Sequence, residues 1–109
     1  MIKSVALIKR KPGMSMEDFV KHYEEVHAPL AQKHLGLFKK YVRNYVMGVE
    51  DNDFDCISEF WFDEIEDALK VQEILGDYQT EIGKMFEADE KIFQDRDKTR
   101  MFLVDERSS

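Results

Sequence analysis

The stretch YEEVHAPLAQKHLGLFKKY, residues 23–41, joins a helix to a strand and sets the arrangement of the rest of the chain. Phe19, Tyr23, Val26, Leu30 and Ala31 recur at helical spacing, and Val20 widens that stripe. Gly36 ends the helix, after which LFKKYVRNYVM (37–47) alternates as a strand. Within the helix His27 borders the apolar stripe, one turn beyond Tyr23, and Pro29 follows two residues later. A histidine in this place is either a core residue satisfied by a backbone carbonyl or a working acid/base. Pro29 brings no N–H and obstructs the carbonyl of Glu25, which loosens the helix beside His27.

On the N-terminal side, IKSVALIKR (2–10) is apolar on both alternating faces and reads as a strand, with a turn at KPGM (11–14). Ser15, with Asp18 three residues on, has the form of a helix N-cap. On the C-terminal side, the acidic turn GVEDND (48–53) leads into FDCISEFWF (54–62), an aromatic-rich strand. DEIEDALKVQEIL (63–75) opens with acidic residues that suit a helix N-terminus; Ile65, Ala68, Leu69, Val71, Gln72 and Leu75 form its inner face. Residues 77–94 continue helically with a bend expected near Gly83, and TRMFLVDE (99–106) closes as a strand.

The order β-α-β-β-α-β predicts an α+β fold of the ferredoxin-like kind, one domain over residues 1–109. It comprises a four-stranded antiparallel sheet with both helices on one face. Strands 2–10, 54–62 and 99–106 carry large apolar side chains on both faces, so the helix-free face needs cover. A second copy of the chain is the simplest cover, and a homodimer through the sheet face is expected.

Composition limits the partners. The 109 residues, 43% hydrophobic and 36% charged, suit one soluble globular core. A net charge of -7 argues against nucleic acid or an anionic membrane surface. The apolar patch in MIKSVALIKRKPG is too short for a signal sequence or a membrane span. Cys56 is the only cysteine, which precludes an internal disulfide and a thiolate zinc site and suits a reducing cytoplasm. With no basic neighbour to stabilise its thiolate, it reads as a buried, inert thiol.

Metal and nucleotide chemistry find no ligand set. Glu24-x-x-His27 has the spacing of a di-iron half-site, but a di-iron site needs a second such motif and two further carboxylates. His27 and His34 would stand about 10 Å apart along a helix, too far for one ion. Asp51, Asp53 and Asp55 imitate a calcium loop, yet Cys56 and Phe62 occupy its glycine and glutamate positions. No glycine-rich phosphate loop is present. We therefore expect no metal and no organic cofactor. EADEKIFQDRDKTR (87–100) reads as a solvated face.

Tyr41 shares strand parity with Leu37, Lys39, Arg43 and Tyr45, whereas Phe38, Val42 and Val46 fall on the other face. Its hydroxyl could orient a carbonyl or stabilise an oxyanion; the alternative is an amphipathic cover residue. Tyr23, Leu30 and Trp61 are candidates for a pocket lining, although strand aromatics also serve simply as core.

The segments KRKPGMSMEDFVKHYEEVHAPLA (9–31), GLFKKYVRN (36–44) and ISEFWFD (57–63), with the strand near residue 103, resemble the EthD family of the dimeric α+β barrel superfamily. The resemblance spans nearly the whole chain. It implies a homodimer whose sheets pack face to face as a barrel, with a small-molecule pocket between sheet and helices in each protomer. Members of the wider superfamily act as isomerases, cyclases, dehydratases or oxygenases on aromatic, polyketide or lactone compounds, often without metal or organic cofactor. EthD itself accompanies a haem monooxygenase system that degrades a fuel ether. Methylmuconolactone isomerases, similar in length and layout, carry a histidine and a tyrosine that correspond by motif to His27 and Tyr41. The resemblance thus favours His27 as a proton shuttle with Tyr41 as its catalytic partner. A non-catalytic accessory protein that binds a small molecule is the alternative.

Overall fold

The computed structural model describes residues 1–48 and 51–109. Strands β1 (Ile2–Ile8), β2 (Lys40–Tyr45), β3 (Cys56–Phe62) and β4 (Arg100–Asp105) form one antiparallel sheet in the order β2-β3-β1-β4. The acidic turn at 48–53 falls partly outside the described residues.

Burial alternates along the two central strands. Ser4, Ala6 and Ile8 of β1 and Cys56, Ser58, Phe60 and Phe62 of β3 are buried on one face. The register brings Val5 level with Glu59 and Phe102, and Lys3 level with Trp61 and Val104. These residues share the opposite face, as strand alternation requires. There Lys3 pairs with Glu59 at 2.8 Å and Glu106 at 2.9 Å, and the Trp61 indole N–H donates to Glu106 at 2.9 Å. The ammonium groups of Lys3 and Lys40 lie 4.9 and 5.0 Å from the Trp61 ring. Large apolar side chains stay exposed on this face, among them Ile57 and Phe102.

The helical layer begins at α1 (Met16–His22), where Ser15 caps the first turn by accepting from the Asp18 N–H at 3.1 Å. It does not continue as one regular helix. Tyr23–His27 form a π turn in which the Ala28 N–H donates to the Tyr23 carbonyl, five residues back, and α2 (Ala28–His34) follows. Pro29 sits in the first turn of α2, directly after the Ala28 N–H that closes the π turn.

The π turn inserts one extra residue and rotates everything after it. An uninterrupted helix would have turned Val26 and Leu30 inward. Instead Val26 is 46% exposed and Leu30 only partly buried, while His27, Ala28, Ala31 and Leu35 continue the buried line from Phe19 and Tyr23. His27 therefore lies in the core stripe, not beside it.

Helix α3 (Ile65–Gly76) packs on β1 and β3 through Ala68 and Val71, leaving Ile65 and Leu69 of the expected inner face exposed. A break at residues 77–80 separates it from α4 (Glu81–Phe93). The break falls there, and not at Gly83, because the Thr80 hydroxyl caps α4 by accepting from the Gly83 N–H at 2.9 Å. Gly83 serves a close approach: a Cβ there would stand 1.8 Å from the Asp77 carbonyl oxygen. Two apolar clusters fill the space between layers, one around Phe19, Tyr23 and Phe93, the other around Phe60, Phe62, Val71 and Phe86.

Candidate functional site

His27 hangs from the π turn into a ring of aromatics. Its imidazole meets Tyr23 edge-on at 5.3 Å and lies 4.9 Å from Phe93 and 5.9 Å from Phe86, measured between ring centroids. Its Nδ1–H donates to Asp89 Oδ2 at 2.8 Å, and the other carboxylate oxygen accepts from His22 Nε2 at 2.8 Å. One buried carboxylate thus orients two imidazoles. Among the described residues no hydrogen bond engages His27 Nε2.

Asp89 reaches this place because Phe86, Asp89 and Phe93 share one face of α4, all buried. Burial works to raise its carboxyl, but the hydrogen bonds and charge from His27 and His22 outweigh it and hold the group below its usual range.

His27 lines a cavity of about 80 Å³ between the sheet and the helices. Ala6, Ile8 and Phe60 supply its floor, Ala31, Leu35 and Phe86 its apolar walls, and Tyr23, His27, Glu90 and Gln94 its polar groups. Burial pushes the Glu90 carboxyl above its usual range, against the opposing pull of His27 and Arg96. An outer cleft of about 520 Å³ adjoins the cavity and shares with it Leu75, Glu90, Gln94, Thr99 and Met101.

Beside the cavity runs a line of hydroxyls. The Tyr23 hydroxyl lies 2.6 Å from that of Tyr41 and 2.6 Å from Ser58 Oγ, which in turn lies 3.4 Å from Cys56 Sγ. Burial pushes both tyrosines well above their ordinary range, so each stays a neutral phenol. Burial likewise pushes the Cys56 thiol up to about 11, which leaves it unreactive.

The residues singled out in the sequence separate into three groups. His27 and Tyr23 line the cavity. Tyr41 stacks on Phe60 at 4.2 Å, carries the Arg43 guanidinium 4.7 Å from its own ring, and reaches the cavity through Tyr23. Its face is the helix-covered one, and Phe38, assigned to the opposite face, packs against Tyr41 at 5.4 Å because β2 begins only at Lys40.

Trp61 and Leu30 do not line the cavity. Trp61 belongs to the helix-free face by strand parity, and the π turn has rotated Leu30 aside. Asp89, Glu90 and His22 went unrecognised in the sequence. The run EADEKIF looks solvated, yet Asp89 falls three residues after Phe86 and four before Phe93, on the apolar side of α4. That spacing was the available signal.

Glu24 is held in a two-pronged pair by Arg43, which donates to both carboxylate oxygens at 2.7 Å. Among the described residues no group of three or more His, Cys, Asp or Glu side chains could hold a metal ion. No helix among them is long and apolar enough to cross a membrane.

Comparison with solved structures supports the fold. An ethyl tert-butyl ether D (EthD) family protein of Bacillus halodurans aligns over 98% of this chain and 99% of its own, with a TM-score of 0.69 and 21% identity. A protein of Arabidopsis thaliana aligns over 100% and 98%, with a TM-score of 0.64 and 17% identity. A dimeric protein of unknown function and ferredoxin-like fold from Bacteroides fragilis aligns over 94% and 91%, with a TM-score of 0.56 and 12% identity. A search of curated proteins returned no match. The sequence itself matches the EthD domain over residues 11–97, and the chain belongs to the EthD family.

Proposed function

We propose that this protein is a cofactor-independent enzyme that moves protons on a small, oxygenated, partly apolar compound, with His27 as the acid/base. The observation that carries this reading is the state of His27. Its ring lines an apolar cavity, Asp89 holds Nδ1, and Nε2 has no hydrogen-bond partner among the described residues. A carboxylate on one imidazole nitrogen fixes the tautomer and leaves the other nitrogen to take and return a proton. Isomerisation, cyclisation, dehydration or oxidation could each use such a group. Tyr41 serves this chemistry as a positioning residue, ordering the Tyr23 hydroxyl at the cavity edge.

The test is a panel of lactones, phenols and polyketide-like aromatics, assayed for turnover and for thermal shift. Turnover of at least one compound, lost in His27→Gln, is the expected result. Thermal shifts without turnover anywhere in the panel would overturn catalysis and favour a binding accessory protein.

We also propose that the working form is a cytoplasmic homodimer joined through the helix-free sheet face. Ile57 and Phe102 are exposed there, and the dimeric Bacteroides fragilis protein shares the fold. A specific dimer should bury at least about 1,000 Å² in total. Light scattering at micromolar concentration should give twice the chain mass of 12.9 kDa; a monomer would end this part of the reading.

A further inference from the structure

The boundary between the inner cavity and the outer cleft holds a polar group with nothing to do. Gln94 lines both spaces and is 8% exposed. Its backbone N–H closes α4 on the Glu90 carbonyl, but its carboxamide makes no hydrogen bond with any described residue. Ser4 Oγ is the only side-chain nitrogen or oxygen among the described residues both unpaired and fully buried. The Gln94 carboxamide therefore touches open space. A buried amide is costly to leave unmatched, so its open neighbour is where a ligand's polar atom belongs.

Size and charge narrow that ligand. At ~30 Å³ for each water-sized unit, the inner cavity of about 80 Å³ has room for a head of about three non-hydrogen atoms. A phenyl ring must stay in the outer cleft of about 520 Å³. Glu90 faces the same boundary, and its nearest cation, Arg96 at 3.4 Å, is also engaged by Glu87 and the Tyr78 hydroxyl. Arg100 lies in the outer cleft and donates to the backbone carbonyls of Asp97 and Thr99. A ligand carboxylate at the boundary would stand beside the Glu90 carboxylate, whose partial burial already disfavours negative charge there.

We infer that Gln94 is the specificity-determining residue of this site, donating a hydrogen bond to the carbonyl oxygen of a neutral, acetyl-headed ligand whose bulk lies in the outer cleft. This rests on the proposed function for the cavity as a ligand site, but not for its chemistry. The acetyl methyl then enters the cavity with His27. Proton transfer there is balanced without an oxidant: a C–H bond breaks, the proton joins Nε2 and exchanges there with solvent, and the electron pair passes to the oxygen held by Gln94; the pair then moves back to carbon, which takes the solvent-derived proton from Nε2.

Two probes of nearly equal shape separate the possibilities, 4-phenylbutan-2-one and its anionic counterpart 3-phenylpropanoate. Affinities are measured by NMR titration on the whole protein at pH 8. The ketone should shift the Gln94 side-chain amide and the His27 ring and bind at least about tenfold more tightly than the carboxylate. Gln94→Met, with circular dichroism unchanged, should weaken the ketone by about tenfold. If that variant does not fold, Gln94→Asn, whose amide is drawn back by one carbon, should show the same loss. Glu90→Gln should raise affinity for 3-phenylpropanoate toward that for the ketone. Absence of ketone binding, equal affinities for the two probes, or a Gln94 variant that binds like the parent would each overturn the inference. Deuterium uptake into the ketone methyl, followed in D2O, reports separately on catalysis: binding without uptake would overturn the proton-transfer reading and leave the Gln94 assignment standing.

Discussion

His27→Gln should leave the fold intact and lower turnover by roughly 100-fold or more, the size of a general acid/base contribution. Glutamine is the informative replacement because its amide can still donate to Asp89, which otherwise would be left as a buried carboxylate short of one partner. What it cannot do is take a proton and return it. Tyr41→Phe should cost less, since it removes one hydroxyl from the Tyr23 line and keeps the ring stacked on Phe60. The measurement is steady-state kinetics per folded molecule, with near-ultraviolet circular dichroism as the check on folding. If His27→Gln unfolds the protein while activity per folded molecule stays unchanged, the histidine is structural and the proposed mechanism is wrong.

Phe93→Ala should be the most damaging single truncation for stability, costing about 3–5 kcal/mol. The Phe93 ring is fully buried and touches the rings of Phe19 at 5.6 Å, His22 at 4.9 Å, Tyr23 at 5.4 Å and His27 at 4.9 Å. Removing it opens a void beneath both imidazoles that aromatic neighbours cannot collapse to fill. Against a total of about 5–15 kcal/mol for a domain of this size, that loss should bring the urea midpoint down sharply. Ile92→Ala is the built-in control. Its side chain is exposed, and surface substitutions of this kind stay within about 0.5 kcal/mol. Equal losses at the two positions would mean that the aromatic cluster does not hold α4 on α1.

The fold was legible because apolar strand segments and helical spacings follow one another in the order β-α-β-β-α-β, and Gly36 and the Ser15 cap mark the ends of the first helical segment. Helix phase was not legible. Val26 and Leu30 continue the Phe19–Tyr23 spacing perfectly well for an uninterrupted helix, and nothing in residue type says that one residue will be looped into a π turn. Pro29 gave the hint that the backbone loosens there, but not the direction of the rotation. Pro29 and the family resemblance together marked His27 as a candidate, and neither showed the carboxylate and aromatic rings around it.

Asp89 was hidden by its charged neighbours, since a run of acidic and basic residues reads as solvent-facing unless each is placed on the helix wheel against Phe86 and Phe93. Trp61 was misplaced for a simpler reason. Alternation says which residues share a face but not which face the helices will cover. Glu59, on the parity of Trp61, was the clue that this side is not the core.

The position of Trp61 has a spectroscopic consequence. It is the only tryptophan in the chain, and it stands on the helix-free face with its N–H on Glu106 and two ammonium groups against its ring. Tryptophan fluorescence therefore reports on that face alone. Covering it should change the emission, whereas a ligand entering beside His27, on the far side of the sheet, should leave tryptophan emission largely unmoved and register in tyrosine absorbance through Tyr23. The protein carries two optical channels, one for association and one for the cavity, separated by the thickness of a single sheet.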